Sequence, residues 1–285
     1  MPTLTVPAHA KLNLTLDVLG KRPDGYHDLR MVMQSIALAD ELTVTVGPGR
    51  GIAVRTDLAF LPCDRRNLAA AAAVRFLEHT GQSLAVEIDL RKKIPVCAGM
   101  GGGSSDAAAV LRALNELTAA GLSLMELAGL GASVGSDVPY CVLGGTALAE
   151  GRGEKLTPLP PLPACALVVC KPPFPISTPE LFRAISGKKL RRRPDTAGLL
   201  EALSSRDLTG AARRMYNVFE DVLSPRQGRT VAELKARLIA GGALGACMSG
   251  TGPTVFGLFD DPGTAEGAAA DLRVDFEDVF VTGAV

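Results

Sequence analysis

The sequence predicts an α+β chain of two domains, and three observations predict it. Leu12, Leu14, Leu16 and Val18 alternate with Lys11, Asn13, Thr15 and Asp17, the period of a strand with one apolar face. A glycine-rich loop, PVCAGMGGGSSDAAAVL, runs from Pro95 to Leu111 and opens onto a helical stripe of Ala107, Val110, Leu111, Leu114 and Leu117. Strand pairs and helices are otherwise mixed along the chain rather than alternating as regular βαβ units, which favours α+β. The proline-rich LTPLPPLP at Leu156–Pro163 marks the expected boundary, dividing residues 1–155 from 156–285.

The elements follow in order. The first strand ends at Gly20, and KRPDGYH turns on Pro23, Asp24 and Gly25. Two strands are expected at Met31–Leu38 and Glu41–Val46, a helix at Asn67–Glu78, and a strand at Leu84–Leu90 leading into the glycine loop. The helix after the loop is expected to begin at Ser104 and Ser105. Leu124–Val134 reads as a further helix. GSDVPY restarts the chain with Ser136 or Asp137 as N-cap and Pro139 in the first turn. Beyond the boundary come a strand at Ala166–Cys170 and a helix start at STPELF, where Ser177 and Glu180 have capping-box spacing. Helices are expected near Leu199, over Leu208–Val222 and over Thr230–Ala240. GACMSGTGPTVFGLF reads as strand, tight turn, strand, and a helix near Ala265–Leu272 precedes a last strand. That strand, near residues 279–285, is a candidate to pack back on the first domain.

Composition narrows the function. The 285 residues carry 30 basic and 30 acidic side chains, and 47% of them are hydrophobic. A nucleic-acid or anionic-membrane surface would show a basic excess, so neither partner is expected. One basic cluster, Lys188, Lys189, Arg191, Arg192 and Arg193, reads as a solvated loop. The six cysteines form no Cys-x-x-Cys pair, so a zinc site is not expected and reduced thiols are. No signal peptide and no apolar run of about 20 residues is visible, and a cytoplasmic location is expected.

The loop is where the chemistry concentrates. Gly99, Gly101, Gly102 and Gly103 let the backbone turn sharply and approach another molecule closely. A helix starting there aims its unpaired N–H groups and dipole at the loop, the arrangement that binds phosphate. The Walker pattern fails because no Lys follows Gly103, and the Rossmann pattern fails at Ser104. Phosphoryl transfer also needs charge neutralisation and a proton acceptor. Asp137, in a turn at a helix start, is a candidate base or a simple helix cap. Lys11, beside Asn13 on a polar strand face, is a candidate positive partner or a solvated side chain. Tyr26 and His27 could stack on a planar ring or pack the loop.

Three segments in order carry a family resemblance: PAHAKLNL, PVCAGMGGGSSDAA and ACMSGTGPTVFGLF. The chain resembles the GHMP small-molecule kinases over nearly its whole length. The resemblance implies a two-domain fold, with an N-terminal ATP-binding domain like one found in ribosomal proteins and a C-terminal ferredoxin-like α/β sandwich. DGYH, the triple glycine before Ser104, GSDVPYCVLGGTALAEGRGE and YNVFE imply a member that phosphorylates a cytidyl-diphosphate sugar alcohol at its 2-hydroxyl for non-mevalonate isoprenoid synthesis. ATP and Mg²⁺ are the implied cofactors. Lys11 and Asp137 would be the catalytic pair. Asn13 would position substrate polar groups. Tyr26 and His27 would hold the cytosine, with Phe182 on its other face, and Thr178 would reach the diphosphate. Pro95, Val96, Cys97, Ala98, Gly99, Met100, Gly101, Gly102, Gly103, Ser104 and Ser105 would wrap the ATP phosphates, with Asn67 near the adenine and Gly250–Thr254 closing the site. The Mg²⁺ ligands are not identified; Ser105 is a candidate by analogy and is not assigned, since a hydroxyl after a glycine loop is common. A monomer or weak homodimer is expected.

Three departures stand out. Cys97 replaces a small Gly or Ala in the loop, Met100 replaces Leu, and YNVFE departs slightly from the usual Asn-Asp-Phe/Leu-Glu. Competing readings are a GHMP kinase for mevalonate, homoserine or a sugar, a non-enzymatic sensor that kept the fold, and a nucleic-acid-binding module. PDGYH argues against the first, Lys11 and Asp137 against the second, and zero net charge against the third.

Overall fold

The computed structural model describes residues 1–188, 190 and 192–285, so Lys189 and Arg191 of the basic cluster lie outside the described residues. The chain forms two compact units that interleave in sequence. Residues 1–10, 38–94 and 101–144 make the first, and residues 11–37, 95–100 and 145–285 make the second. Two long strands, β1 (Thr3–Lys21) and β2 (His27–Gly47), supply residues to both. β2 covers in one strand what the sequence suggests as two. β1 is also more buried than its alternation implies. Every residue from Ala10 to Val18 is buried, so the polar face of Lys11, Asn13, Thr15 and Asp17 is interior rather than solvated.

In the first unit, β3 (Gly51–Thr56) pairs in parallel with β4 (Ala85–Arg91), which pairs antiparallel with β2 over Glu41–Gly47. The helices are α1 (Leu68–Thr80), α2 (Gly102–Leu117), α3 (Leu124–Ala132) and α4 (Val138–Leu143). Small side chains bring α1 and α2 together: Ala69, Ala70, Ala72 and Ala73 on one, Ala107, Ala108, Ala109 and Ala113 on the other, all buried. Phe76 is fully buried on α1, where truncation to Ala costs about 3–5 kcal/mol. α2 begins at Gly102, before the serines. Gly101 is its N-cap with φ 68°, a left-handed conformation that glycine adopts without strain.

In the second unit, β5 (Thr146–Gly151) pairs antiparallel with β2 over Leu29–Gln34, and β6 (Lys155–Pro158) pairs with β5. The proline-rich segment therefore opens as strand. A four-stranded antiparallel sheet follows in the order β11-β7-β10-β9, from β7 (Ala166–Lys171), β9 (Gly245–Met248), β10 (Val255–Phe259) and β11 (Asp278–Gly283). α8 (Pro225–Ala240) and α9 (Pro262–Leu272) pack on it, completing the α/β sandwich. β11 pairs with β7, and Val285 N–H donates to the Ser35 carbonyl. α5 (Thr178–Ser186) and α6 (Thr196–Ser204) lie between β7 and α7 (Leu208–Arg213).

Three further expectations differ from the structure. The helix expected over Leu208–Val222 stops at Arg213 and gives way to β8 (Tyr216–Asn217), parallel to β1, and a 3₁₀ turn at Val218–Val222. The cause is Asn217, whose side chain is committed to distant backbone groups described below. Ser177 caps α5 by position, but its side chain makes no cap hydrogen bond, so the capping box is not formed. A complete capping box stands instead at Ser224 and Gln227, which starts α8 before Thr230.

Candidate active site

Each unit carries its own share of the candidate residues. In the second unit, Lys11 and Asn13 project from the same face of β1. Lys11 is 4% exposed and its Nζ donates to Asn13 Oδ1 at 2.8 Å. Asn13 Nδ2 faces Met31 Sδ at 3.4 Å. A buried ammonium is costly unless bonded, so this pair marks Lys11 as something other than a solvated strand lysine. The Lys11 backbone N–H donates to the Met100 carbonyl at 3.0 Å, which lays the first half of the glycine loop along β1.

That half of the loop is gripped by the turn between β9 and β10. Ser249 Oγ donates to the Gly99 carbonyl at 3.0 Å and accepts from Asn13 N–H at 3.3 Å. Gly99 has φ 77°, and a Cβ there would lie 2.3 Å from the Ser249 carbonyl oxygen. A Cβ on Gly250 would lie 2.9 Å from the Gly99 carbonyl oxygen. Glycine at both positions is therefore a matter of space as well as conformation. Cys97 is exposed and has φ 54°, a region that favours glycine, which gives a physical sense to the small residue expected there. Met100 is buried, as its exchange for leucine requires.

The turn is braced from behind by two residues of YNVFE. Asn217 Nδ2 donates to the Met248 carbonyl at 2.8 Å and the Gly250 carbonyl at 2.7 Å, while its Oδ1 accepts from Phe219 N–H at 3.0 Å. Glu220 accepts from Met248 N–H at 2.9 Å and pairs with Lys235. In the sequence this motif supports the family resemblance without showing a structural task. Its polar ends inside an apolar run were the available signal.

The aromatic candidates also lie in the second unit. His27 and Phe182 are stacked, with ring centroids 4.9 Å apart, and Phe182 meets Phe219 edge to face at 5.0 Å. His27 Nε2 is 2.7 Å from Ser186 Oγ. Burial, with a smaller push from Lys21, holds the His27 pKa below its ordinary value, which favours the neutral ring. Tyr26 is 55% exposed, and the Arg152 guanidinium lies 4.7 Å from its ring centre. Thr178, at the start of α5, shares a 2.8 Å hydrogen bond with Thr251.

The first unit holds the rest. Gly101–Ser105 form the entry to α2. Ser105 is buried and its Oγ donates to the His9 carbonyl at 2.6 Å, a structural bond that occupies its hydroxyl proton. Asn67 caps α1: its Oδ1 accepts from Ala69 N–H at 3.0 Å and its Nδ2 donates to the Pro62 carbonyl at 3.0 Å. Asp137 occupies the N-cap of α4 without making a side-chain cap hydrogen bond. Ser104 lies near the same turn, with its Oγ 3.7 Å from where a Cβ on Gly135 would stand.

One buried cluster was not legible beforehand. Lys92 Nζ pairs with Asp40 and, at 2.7 Å, with Asp106, the fifth residue of α2; all three side chains are at most 5% exposed. A Cβ on Gly102 would lie 3.4 Å from that Nζ, so the lysine stands directly behind the loop's second half. Burial and the nearby Asp40 charge outweigh the attraction of Lys92 and push the Asp106 pKa up to about 7. Among the described residues no group of three or more His, Cys, Asp or Glu side chains could hold a metal ion. Nor is any helix among them long and apolar enough to cross a membrane.

Comparison with known proteins follows the same lines. Residues 67–145 match the GHMP kinases N terminal domain and residues 199–278 the GHMP kinases C terminal domain. The 4-diphosphocytidyl-2-C-methyl-D-erythritol kinase of Lachnoclostridium phytofermentans is 44% identical over 96% of this chain and 94% of its own. That of Clostridium kluyveri is 42% identical over 99% of this chain and all of its own. A crystal structure of 4-(cytidine 5'-diphospho)-2C-methyl-D-erythritol kinase superposes with a TM-score of 0.83 at 36% identity, covering 99% of both chains. Homoserine kinase from Cytophaga hutchinsonii shares the fold alone, with a TM-score of 0.80 at 20% identity over 100% of this chain and 95% of its own. On whole-chain identity, both family domains and the shared fold, the chain belongs to the GHMP kinase family, among the 4-diphosphocytidyl-2-C-methyl-D-erythritol kinases.

Proposed function

We propose that this kinase transfers the γ-phosphoryl group of ATP to the 2-hydroxyl of 4-diphosphocytidyl-2-C-methyl-D-erythritol, a step of non-mevalonate isoprenoid precursor synthesis. The observation that carries the reading is Lys11, a buried ammonium bonded to Asn13, whose own backbone N–H binds Met100 of the glycine loop. Family membership supplies ATP as the donor.

The roles divide as follows. The loop Pro95–Ser105 receives the phosphates through its backbone N–H groups from Val96 onward and through the N-terminus of α2, since both present positive partial charge. Asp137 accepts the proton of the attacking hydroxyl. The hydroxyl oxygen bonds to the γ-phosphorus, the bond to the bridging oxygen breaks, and ADP leaves with that electron pair. Lys11 steadies the charge that spreads over the transferring oxygens. Asn13 orients substrate polar groups. His27, Phe182 and Tyr26 take the cytosine, Thr178 the diphosphate, and Asn67 lies toward the adenine. Mg²⁺, the cation the family resemblance implies, would neutralise phosphate charge, with hard oxygen donors as its ligands.

The test is ADP release measured side by side with the cytidyl-diphosphate methylerythritol, mevalonate, homoserine and galactose. The cytidyl compound should turn over fastest. Faster turnover of mevalonate or homoserine would sink the substrate assignment.

A further inference from the structure

α4 has only six residues, too few to hold itself by its own hydrogen bonds. Its last carbonyls lack intrahelical partners, and its C-terminal end carries negative partial charge. Arg112, on α2, meets both needs. Its Nη1 donates to the Cys141 carbonyl at 2.7 Å and the Val142 carbonyl at 3.3 Å. Among the described residues no carboxylate pairs with this guanidinium, so those two carbonyls are its recorded acceptors. The other end of α4 begins at Asp137. Cys141 N–H donates to the Asp137 carbonyl at 3.0 Å. One residue, Cys141, is therefore held by Asp137 through its N–H and by Arg112 through its carbonyl.

α2 is also the helix that opens from the glycine loop. Arg112 stands ten residues after its first residue, Gly102, or about 15 Å along its axis. At the near end Ser105 ties α2 to the His9 carbonyl, and its Oγ lies 3.4 Å from Cys141 Sγ. The same helix thus carries the entry to the phosphate loop and the pin for the helix that presents Asp137.

We infer that Arg112 is a positioning residue for phosphoryl transfer: it holds α4, and through Cys141 the Asp137 carboxylate, in register with the α2 end of the phosphate loop. This rests on the reading of Asp137 as proton acceptor. Removing Arg112 leaves two helix-terminal carbonyls unmet and lets α4 shift. Misplacement of a reacting group by about 1 Å costs on the order of 10²-fold in rate, while ligand binding, made elsewhere, is spared.

The test is steady-state kinetics of Arg112→Met, Arg112→Lys, Asp137→Asn and the double variant Arg112→Met with Asp137→Asn, beside a stability control, Phe76→Leu. Arg112→Met is expected to lower kcat by roughly 10-fold to 100-fold with KM for both substrates within about threefold. Arg112→Lys, which reaches one carbonyl but not both, should recover part of that loss. In the Asp137→Asn background Arg112→Met should cost nothing more, because the two act through one carboxylate. A kcat loss in Phe76→Leu equal to that of Arg112→Met would assign the effect to general stability and overturn the proposal. If Arg112→Met fails to fold, Arg112→Lys carries the test, and a kcat equal to the parent's overturns it. Parental activity in Asp137→Asn would refute the reading of Asp137 and the proposal with it. An inactive Asp137→Asn beside a fully active Arg112→Met would refute the proposal alone. A full further loss in the double variant would also overturn it.

Discussion

Phe182 lies ring on ring with His27, centroids 4.9 Å apart and planes 28° from parallel, and meets Phe219 edge to face at 5.0 Å. Phe182 on α5 is thus tied to the Tyr26-His27 turn on one side and to the YNVFE segment on the other. A cytosine held by Phe182 would take the place of His27 on that ring or use its opposite face. Either way Phe182 supplies the stacking surface. Phe182→Ala should weaken the cytidyl substrate by about 1–3 kcal/mol, by analogy with base–aromatic stacking, and leave ATP nearly unchanged. Calorimetric titration of both ligands checks this, and equal weakening of the two would point to damage of the fold instead.

Asp137→Asn should lower turnover by roughly 10²-fold or more, within the range for acid–base groups. The melting temperature should hold, because Asn is as good an N-cap residue as Asp and preserves the start of α4. Paired kinetics and thermal melts read the two effects apart.

Gly99→Ala would place a methyl 2.3 Å from the Ser249 carbonyl oxygen at a residue with φ 77°. The loop must move away from the β9–β10 turn to admit it. We expect ATP binding to fall below detection by calorimetry while the cytidyl substrate still binds. An alanine variant with parental ATP affinity would mean that the loop does not need this contact.

Asn217→Asp keeps the acceptor that receives Phe219 N–H but loses both donations, to Met248 and Gly250. Two buried carbonyls are then left facing a carboxylate. Each unmet group costs about 1–3 kcal/mol, and each kcal/mol lowers the melting temperature by about 2–4 °C in a protein of this size class. Differential scanning calorimetry should show a drop of several degrees, with weaker ATP binding because Gly250 abuts Gly99.

Asp106 gives the stability a pH dependence. Its pKa in the folded chain is raised to about 7, so the fold binds the neutral acid better than the carboxylate. That contribution is whole below the unfolded-state value near 4, shrinks as pH rises, and is gone above about 7. Urea unfolding at pH 5 and pH 8 should show the parent losing stability over that interval. Asp106→Asn should flatten the slope and be the more stable of the two at pH 8. An unchanged slope would mean that Lys92 keeps Asp106 ionised throughout.

Much of this was open to reading along the chain because it depends on short-range signals. The glycine loop, the Asp137 cap position, the two hairpin strands around GTGP and the helix near Asn67–Glu78 each follow from residues within a turn or two. So do most strand positions. The helix expected over Leu208–Val222 failed where local periodicity met a distant demand, since Asn217 leaves helical geometry to reach Met248 and Gly250. The Ser177 box failed for a related reason: suitable spacing does not oblige a side chain to close the bond.

By itself the sequence determined the α+β class and the glycine-rich loop, because those follow from periodicity and glycine conformation, and the family resemblance named the candidate residues for phosphoryl transfer. Only the tertiary structure decided that Lys11 and Asn13 are interior, that Ser249 and Asn217 hold the loop, and that Lys92 stands between Asp40 and Asp106. Each of those is a pairing across many residues. Burial and long-range hydrogen bonding are properties of the folded neighbourhood, and no local pattern of residue types encodes which distant partner will arrive.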